Sequence, residues 1–242
     1  MKNIIIANFS INSIALIEWA RNNLKEDFCV LSVNTGFQAD NWDKYLTEVF
    51  NWLEKRKIKH FHLTAENDFS TLVRARKQFP SQQFSWCAGF LKGITLLNKI
   101  DELDPDCEAT ILLPHRKNLS KASALLKEHI EEEEKYDYRS VWYPLINLSK
   151  KEIENITKDL LFCQSVERSL ECQPCIHITE NEANKIAIKD IKKVIELEDE
   201  IKSYMFGDQT LDTILKSDFF KKNNNILEEL SKACSWEYSC GL

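Results

Sequence analysis

Apolar residues in the first half of the chain follow two alternating rhythms. Asn3-Ile4-Ile5-Ile6-Ala7-Asn8 is a short β-branched run ending in polar residues, and Ile14, Ala15, Leu16, Ile17 and Ala20 follow at helical spacing. A short apolar run bounded by polar residues reads as a buried strand, and the spacing behind it as a helix facing the core. The alternation repeats, with Phe28 to Val33 as a strand, 41 to 56 as a helix and Lys59 to Leu63 as a strand. After a helical middle, Ala109 to Leu113 and Ser140 to Ile146 are again strand-like. Strands alternating with helices, with no hairpin turn signals between them, predict an α/β fold: a mostly parallel five-stranded sheet with helices on both faces.

Beyond Ser149 the pattern turns helical, over 149 to 160, 178 to 203, 209 to 217 and 224 to 233. This divides the chain into an α/β domain, 1 to 148, and a helical, cysteine-bearing C-terminal region, 149 to 242. The acidic run Glu131 to Glu134 reads as a solvated helix face, and Lys221-Lys222-Asn223-Asn224-Asn225 as an exposed turn. Met205-Phe206-Gly207 reads as a packing point for the C-terminal helices. Ligands of parallel sheets bind at the carboxyl ends of the strands, which directs attention to the loops at 8 to 13, 34 to 42 and 114 to 121.

Hydrophobic content of 43% and charged content of 29% are those of an ordinary soluble domain. The apolar run Ile4 to Ala7 is too short to span a bilayer, and the N-terminus lacks the build of a secretory signal, so a cytoplasmic protein is expected. Eight cysteines in that setting are not expected to be disulfides, which leaves metal ligation and catalysis as their reasons. The net charge of −6 gives no overall pull toward nucleic acid, although Arg74, Arg76 and Lys77 offer a local basic patch. Oligomeric state is not legible.

Asn8-Phe9-Ser10-Ile11-Asn12-Ser13 stands between a strand and a helix. A helix N-terminus presents unpaired N–H groups, so small hydroxyl and amide side chains there suit a phosphate; capping by Asn12 or Ser13 is the alternative reading. In Cys163-x8-Cys172-Gln173-Pro174-Cys175-Ile176-His177, two cysteines two residues apart can hold one metal, with Cys163, Cys234, Cys240 and His177 as candidates for the rest of the set. Two buried thiols at the start of a helix are the alternative. Cys29 and Cys107 read as structural, His60 and His62 as surface or edge residues, His115 as a neighbour of an anion, and Trp42 as a platform for a base. Cys240, two residues from the last residue, sits where packing hardly explains a thiol.

Strand, then Phe9-Ser10-x-Asn12-Ser13, then an apolar helix resembles a shortened Ser-Gly-Gly-x-Asp-Ser loop of the PP-loop superfamily, which includes the phosphoadenylylsulfate (PAPS) reductases. Asn34-Thr35-Gly36 resembles that family's Asp-Thr-Gly, and Trp86-Cys87 with Leu91-Lys92 its Cys-x-x-x-Lys segment. Arg116-Lys117-x-x-Ser120-Lys121 resembles its Arg-x-x-x-Ser-x-x-Arg region, and Tyr143-Pro144-Leu145-Ile146-Asn147 its Pro-Leu-x-x-Trp strand end. Ser239-Cys240-Gly241-Leu242 resembles the Glu-Cys-Gly-Leu-His tail that carries the reductases' nucleophile. The motifs keep the family's order across nearly the whole chain.

The resemblance implies an adenine nucleotide (ATP, adenylyl sulfate or PAPS) held by Ser10, Asn12, Ser13, Asn34, Thr35, Gly36, Lys92, Arg116, Ser120 and Lys121, with Cys240 as nucleophile. It implies thiol-dependent sulfonucleotide reduction or sulfur transfer, with a thioredoxin-like dithiol as reductant. Cys163, Cys172 and Cys175 resemble the zinc spacing of queuosine-precursor synthases, with Ile178 at the fourth position; Cys87, Cys172 and Cys175 resemble the [4Fe–4S] ligands of adenylylsulfate reductases. Two alternatives stand beside this: an ATP pyrophosphatase that adenylates a tRNA base for sulfuration, and a degenerate, non-catalytic nucleotide-binding or regulatory module. The departures from the pattern are a first loop two residues short and without its glycines, Asn12 and Asn34 in place of aspartates that suit magnesium, and a tail without histidine.

Overall fold

The structure, a computed structural model, describes residues 1–81, 84–119, 123–217 and 219. Among the described residues six strands form one sheet: β1 (Asn3–Ile6), β2 (Phe28–Asn34), β3 (Lys59–Thr64), β4 (Thr110–Leu112), β5 (His129–Glu133) and β6 (Arg139–Trp142). Their order is β3-β2-β1-β4-β6-β5; the first five in that order run parallel and β5 is antiparallel to β6. The helices are α1 (Ile11–Asn23), α2 (Trp42–Lys55), α3 (Phe69–Arg76), α4 (Ile94–Leu103), α5 (Lys150–Thr157), α6 (Glu180–Ala183), α7 (Ile188–Ile201) and α8 (Leu211–Leu215).

The two-residue period of the strands divides the core between two faces. Ile4, Ile6, Leu31, Val33 and Ile111 point to one side, where Val73 of α3, Ile100 of α4, Val194 and Leu197 of α7 and Leu211 of α8 cover them. Ile5, Ala7, Val30 and Leu112 point to the other, against Leu16 of α1, Val49 and Leu53 of α2 and Ile153 of α5. Helices beyond Ser149 therefore cover both faces. Among the described residues no helix is long and apolar enough to cross a membrane.

The acidic run expected as a helix face is instead the edge strand β5, which raises the strand count to six. An edge strand with one face in solvent pairs through its backbone and tolerates charged side chains, as a solvated helix does. Only Ile130 packs against the core, so the run offers no second apolar position to fix a period. The stretch 178 to 203, read as one helix, is two: α6 opens on a capping box between Thr179 and Glu182, and α7 starts afresh after Ala187, whose backbone is extended. The segment expected at 224 to 233 lies outside the described residues.

Strand order reverses at β1, which has β2 on one side and β4 on the other. Connections from these strands leave in opposite directions, and this opens a crevice at the carboxyl ends of β1 and β4. Arg139, at the start of β6, fixes the opposite end of the sheet. Fully buried, it donates from Nε to the Asp104 carboxylate at 2.7 Å and from Nη2 to the Asp101 carboxylate at 2.9 Å, tying β6 to the end of α4.

Candidate functional site

The loop after β1 is organised by Asn8. Its Oδ1 accepts from the Ser10 N–H at 3.0 Å and from the Ser13 hydroxyl at 2.6 Å, and the Ser10 and Ser13 hydroxyls stand 3.3 Å apart. Phe9 takes a positive φ of 58° to make this turn without a glycine, and Tyr45 Oη donates to its carbonyl at 2.6 Å. Asn8 carried no weight in the sequence beyond ending a strand. The first helical N–H of α1, that of Ile11, donates to the Val166 carbonyl at 2.9 Å.

Across the crevice, Arg116 follows β4 and donates from Nε to Asn12 Oδ1 at 3.0 Å, and from Nη1 to the Leu148 carbonyl at 3.4 Å. Its Nη2 makes no hydrogen bond among the described residues. Burial pulls the guanidinium below its ordinary value, though an arginine stays charged. The loops at 8 to 13 and 114 to 116 thus meet at the switch point.

The turn after β2 is built as its residues suggest. Asn34 Oδ1 accepts from the Gly36 N–H at 2.8 Å, an Asx turn, and Gly36 has φ +68°. A Cβ on Gly36 would stand 2.5 Å from Asp68 Cβ, so only glycine fits. Thr35 is buried, and its hydroxyl donates to the Glu171 carbonyl. Trp42 is buried against Tyr45 at the start of α2, with ring centroids 4.7 Å apart, so it is core and offers no face to a base. His115 is buried edge-on to Tyr143.

Lys92 lies in a π-helical turn over Ala88–Gly93 that leads into α4, and it is 1% exposed. Its ammonium donates to Glu171 Oε1 at 2.6 Å. Burial pushes the Glu171 carboxyl up, against the pull of the Lys92 charge. The lysine expected to meet a nucleotide is committed to a carboxylate of its own chain. Nothing in the sequence marked Glu171 beyond its place beside Cys172.

Lys92 and Glu171 share the lining of a small cavity with Thr35, Cys87, Cys172 and Cys175. Cys163 is absent from this group: it packs in the apolar cluster on the other face of the sheet, where burial pushes its thiol up to about 11 and it donates to the Leu160 carbonyl. The cavity has a volume of about 20 Å³, roughly that of one water-sized sphere. Among the described residues no three His, Cys, Asp or Glu side chains form a set that could hold a metal ion. Cys87, Cys172 and Cys175 are brought to one cavity, and three thiols suit zinc or a [4Fe–4S] cluster chemically.

His177 is buried, with both ring nitrogens lacking a hydrogen-bond partner among the described residues; burial, and secondarily the charge of Arg168, lower its pKa to about 4. Cys29 is buried in the sheet, whereas Cys107, expected as structural, is exposed on the turn before β4. Ser120, Lys121, Cys234 and Cys240 lie outside the described residues.

Fold and site together define an α/β protein with a doubly wound sheet, a polar crevice at its switch point and a thiol-lined cavity beside it. No family model and no curated protein matches the chain. Among solved structures it is similar to phosphoadenylyl-sulfate (PAPS) reductase from Candida auris in a phosphate complex, at 10% identity and a TM-score of 0.45, covering 65% of this chain and 71% of that one. It is also similar to the U34-tRNA thiolase NcsA from Methanococcus maripaludis, a structure with its [4Fe-4S] cluster, at 12% identity and a TM-score of 0.48, covering 94% of this chain and 72% of that one.

Proposed function

We propose that the chain binds an adenine nucleotide (ATP, adenylyl sulfate or PAPS) at the crevice between β1 and β4, and performs thiol-dependent sulfonucleotide reduction or sulfur transfer. The observation that carries the reading is the meeting of Arg116 with Asn12 at the first turn of α1. It puts a planar guanidinium beside a helix N-terminus, at the place in a doubly wound sheet where phosphates are held. The order of motifs along the chain, from Ser10 and Ser13 through Asn34-Thr35-Gly36 to Arg116, supports the same reading.

In the reductive form of this chemistry, the Cys240 thiolate attacks the sulfur of the bound sulfonucleotide. The bond from sulfur to the bridging phosphate oxygen breaks, and the adenine nucleotide leaves with the electron pair. The thiosulfonate left on Cys240 is then cleaved by a thioredoxin-like dithiol, which releases sulfite and becomes a disulfide. Arg116 neutralises charge on the leaving phosphate, and Ser10 and Ser13 fix the loop that faces it.

Calorimetry on the full chain tests the reading with ATP, adenylyl sulfate and PAPS in turn. At least one is expected to bind, with affinity falling by about tenfold or more in Arg116→Ala, the loss of one charge-assisted hydrogen bond. Sulfite release that disappears in Cys240→Ser supports reduction. ATP binding without sulfite release would move the reading to adenylation of an acceptor, and absence of binding by all three nucleotides would leave a non-catalytic module.

A further inference from the structure

Residues 166 to 173 contain no helix and no strand of the sheet, yet they cross its carboxyl edge and bond to the loop behind each of β1 and β2. The Val166 carbonyl accepts from Ile11 N–H at 2.9 Å, the Leu170 carbonyl accepts from Ala39 N–H at 3.0 Å, and Gln173 N–H donates to the Phe37 carbonyl at 2.8 Å. The Glu171 carbonyl accepts from Thr35, and its carboxylate sits on Lys92 at 2.6 Å. Glu167, at the other end, pairs with Lys150 at the start of α5.

Two of these contacts place oxygens of the chain where oxygens of an anion would go. A carbonyl takes a donor at the N-terminus of α1, and a carboxylate takes a buried ammonium. A buried ion pair adds little net stability over well-packed apolar side chains, so holding the segment down does not by itself call for a charge. A charge is called for where a second anion is to compete for the same lysine.

We propose that residues 166 to 173 form a strap closing the crevice, with the Glu171 carboxylate on Lys92 as its latch, and that an anionic ligand binds by displacing that carboxylate and lifting the strap. This rests on the nucleotide reading above. The strap is held by individual hydrogen bonds to loops and by the ion pairs of Glu167 with Lys150, Arg168 with Glu182 and Glu171 with Lys92, and shares no ladder of the sheet, so it opens without unfolding the sheet.

Amide hydrogen exchange on the full chain, read by NMR, tests the strap without any ligand. The N–H groups of Ile11, Ala39 and Gln173 are expected to exchange about tenfold or more faster than that of Ala7, which directly follows β1 and is bonded to the Leu31 carbonyl of β2. In Glu171→Gln the three exchange faster again while Ala7 is unchanged, and ATP, adenylyl sulfate or PAPS binds more tightly than to the unaltered protein. Strap amides as protected as Ala7 in the unaltered protein overturn the proposal, whether or not the variant folds. If ATP binds while those amides stay protected, the nucleotide reading stands and the strap falls. If the strap opens in both proteins and neither binds any of the three nucleotides, the strap stands and the nucleotide reading falls.

Discussion

Arg139 and Asp104 form a buried pair at 2.7 Å in which the carboxylate also accepts from the backbone N–H groups of Glu108 and Ala109. The Asp104 carboxylate thus takes one charged and two backbone donors, and removing the cation strands it among the two that remain. Arg139→Met is expected to cost about 3 to 5 kcal/mol, the penalty for breaking a buried pair from one side. Urea denaturation followed by circular dichroism measures it, and a loss below 1 kcal/mol would show that the site relaxes or admits water.

The same pair gives the protein an acid limit. Burial alone would raise the Asp104 carboxyl, but the Arg139 hydrogen bond and the two N–H donors outweigh it and hold it below the ordinary carboxylate value. With the folded value lower than the unfolded one, the unfolded chain binds more protons in between, so stability there rises with pH. The contribution is complete above the unfolded value of about 3.9 and is lost as pH falls through it toward the folded value. Asp104→Asn should be less stable at neutral pH and show a flatter fall between pH 5 and 3; parallel curves would remove Asp104 as the cause.

Two glycines separate backbone need from backbone convenience. Gly36→Ala forces a Cβ to within 2.5 Å of Asp68 Cβ at a positive φ, and Asp68 also caps α3 by accepting from Thr71 N–H. A loss of roughly 1 to 3 kcal/mol is expected. At Gly89 an added Cβ meets nothing within 4 Å, and Gly89→Ala should be neutral or stabilise by up to about 1 kcal/mol. Thermal melts of the two variants, if they moved in the same direction, would contradict this.

Thiol reactivity should follow burial. Cys107 is exposed, whereas Cys29 and Cys163 are buried and each pushed up to about 11 by desolvation. Because the thiolate is the reactive form, iodoacetamide at pH 7.5 should modify Cys107 early and leave Cys29 and Cys163 untouched until the chain unfolds. Mass spectrometry of timed samples reads the order, and early labelling of Cys163 would contradict its place in the core.

Legibility in the sequence followed how much apolar information each element carries. β1, α1, β2 and α2 combine a β-branched run with a clear helical period, and the structure has them within a few residues of where the pattern puts them. β5 has one apolar residue, the half-buried Ile130, and a strand with a single apolar position has no period to read. In the site, Arg116 and Asn12 were found through the order of motifs, because their side chains carry the contact. Val166 and Leu170 act through backbone carbonyls, which every residue has. Glu171 lies 79 positions from Lys92, too far for any local pattern to join them.

Strand order has a consequence for the growing chain. β1 acquires β2 on one side as soon as residue 34 is made, but its other neighbour, β4, begins only at Thr110. Until then the Ile4-Ile5-Ile6 backbone presents an unpaired row of amides and carbonyls, flanked by some of the most apolar side chains of the molecule. Pairings this far apart in sequence are slow to close, and an open apolar edge is what chaperones bind and what aggregates seed from. The centre of the sheet is thus sealed only after the whole β3-β2-β1 half has been made, and the β6-β5 edge follows it.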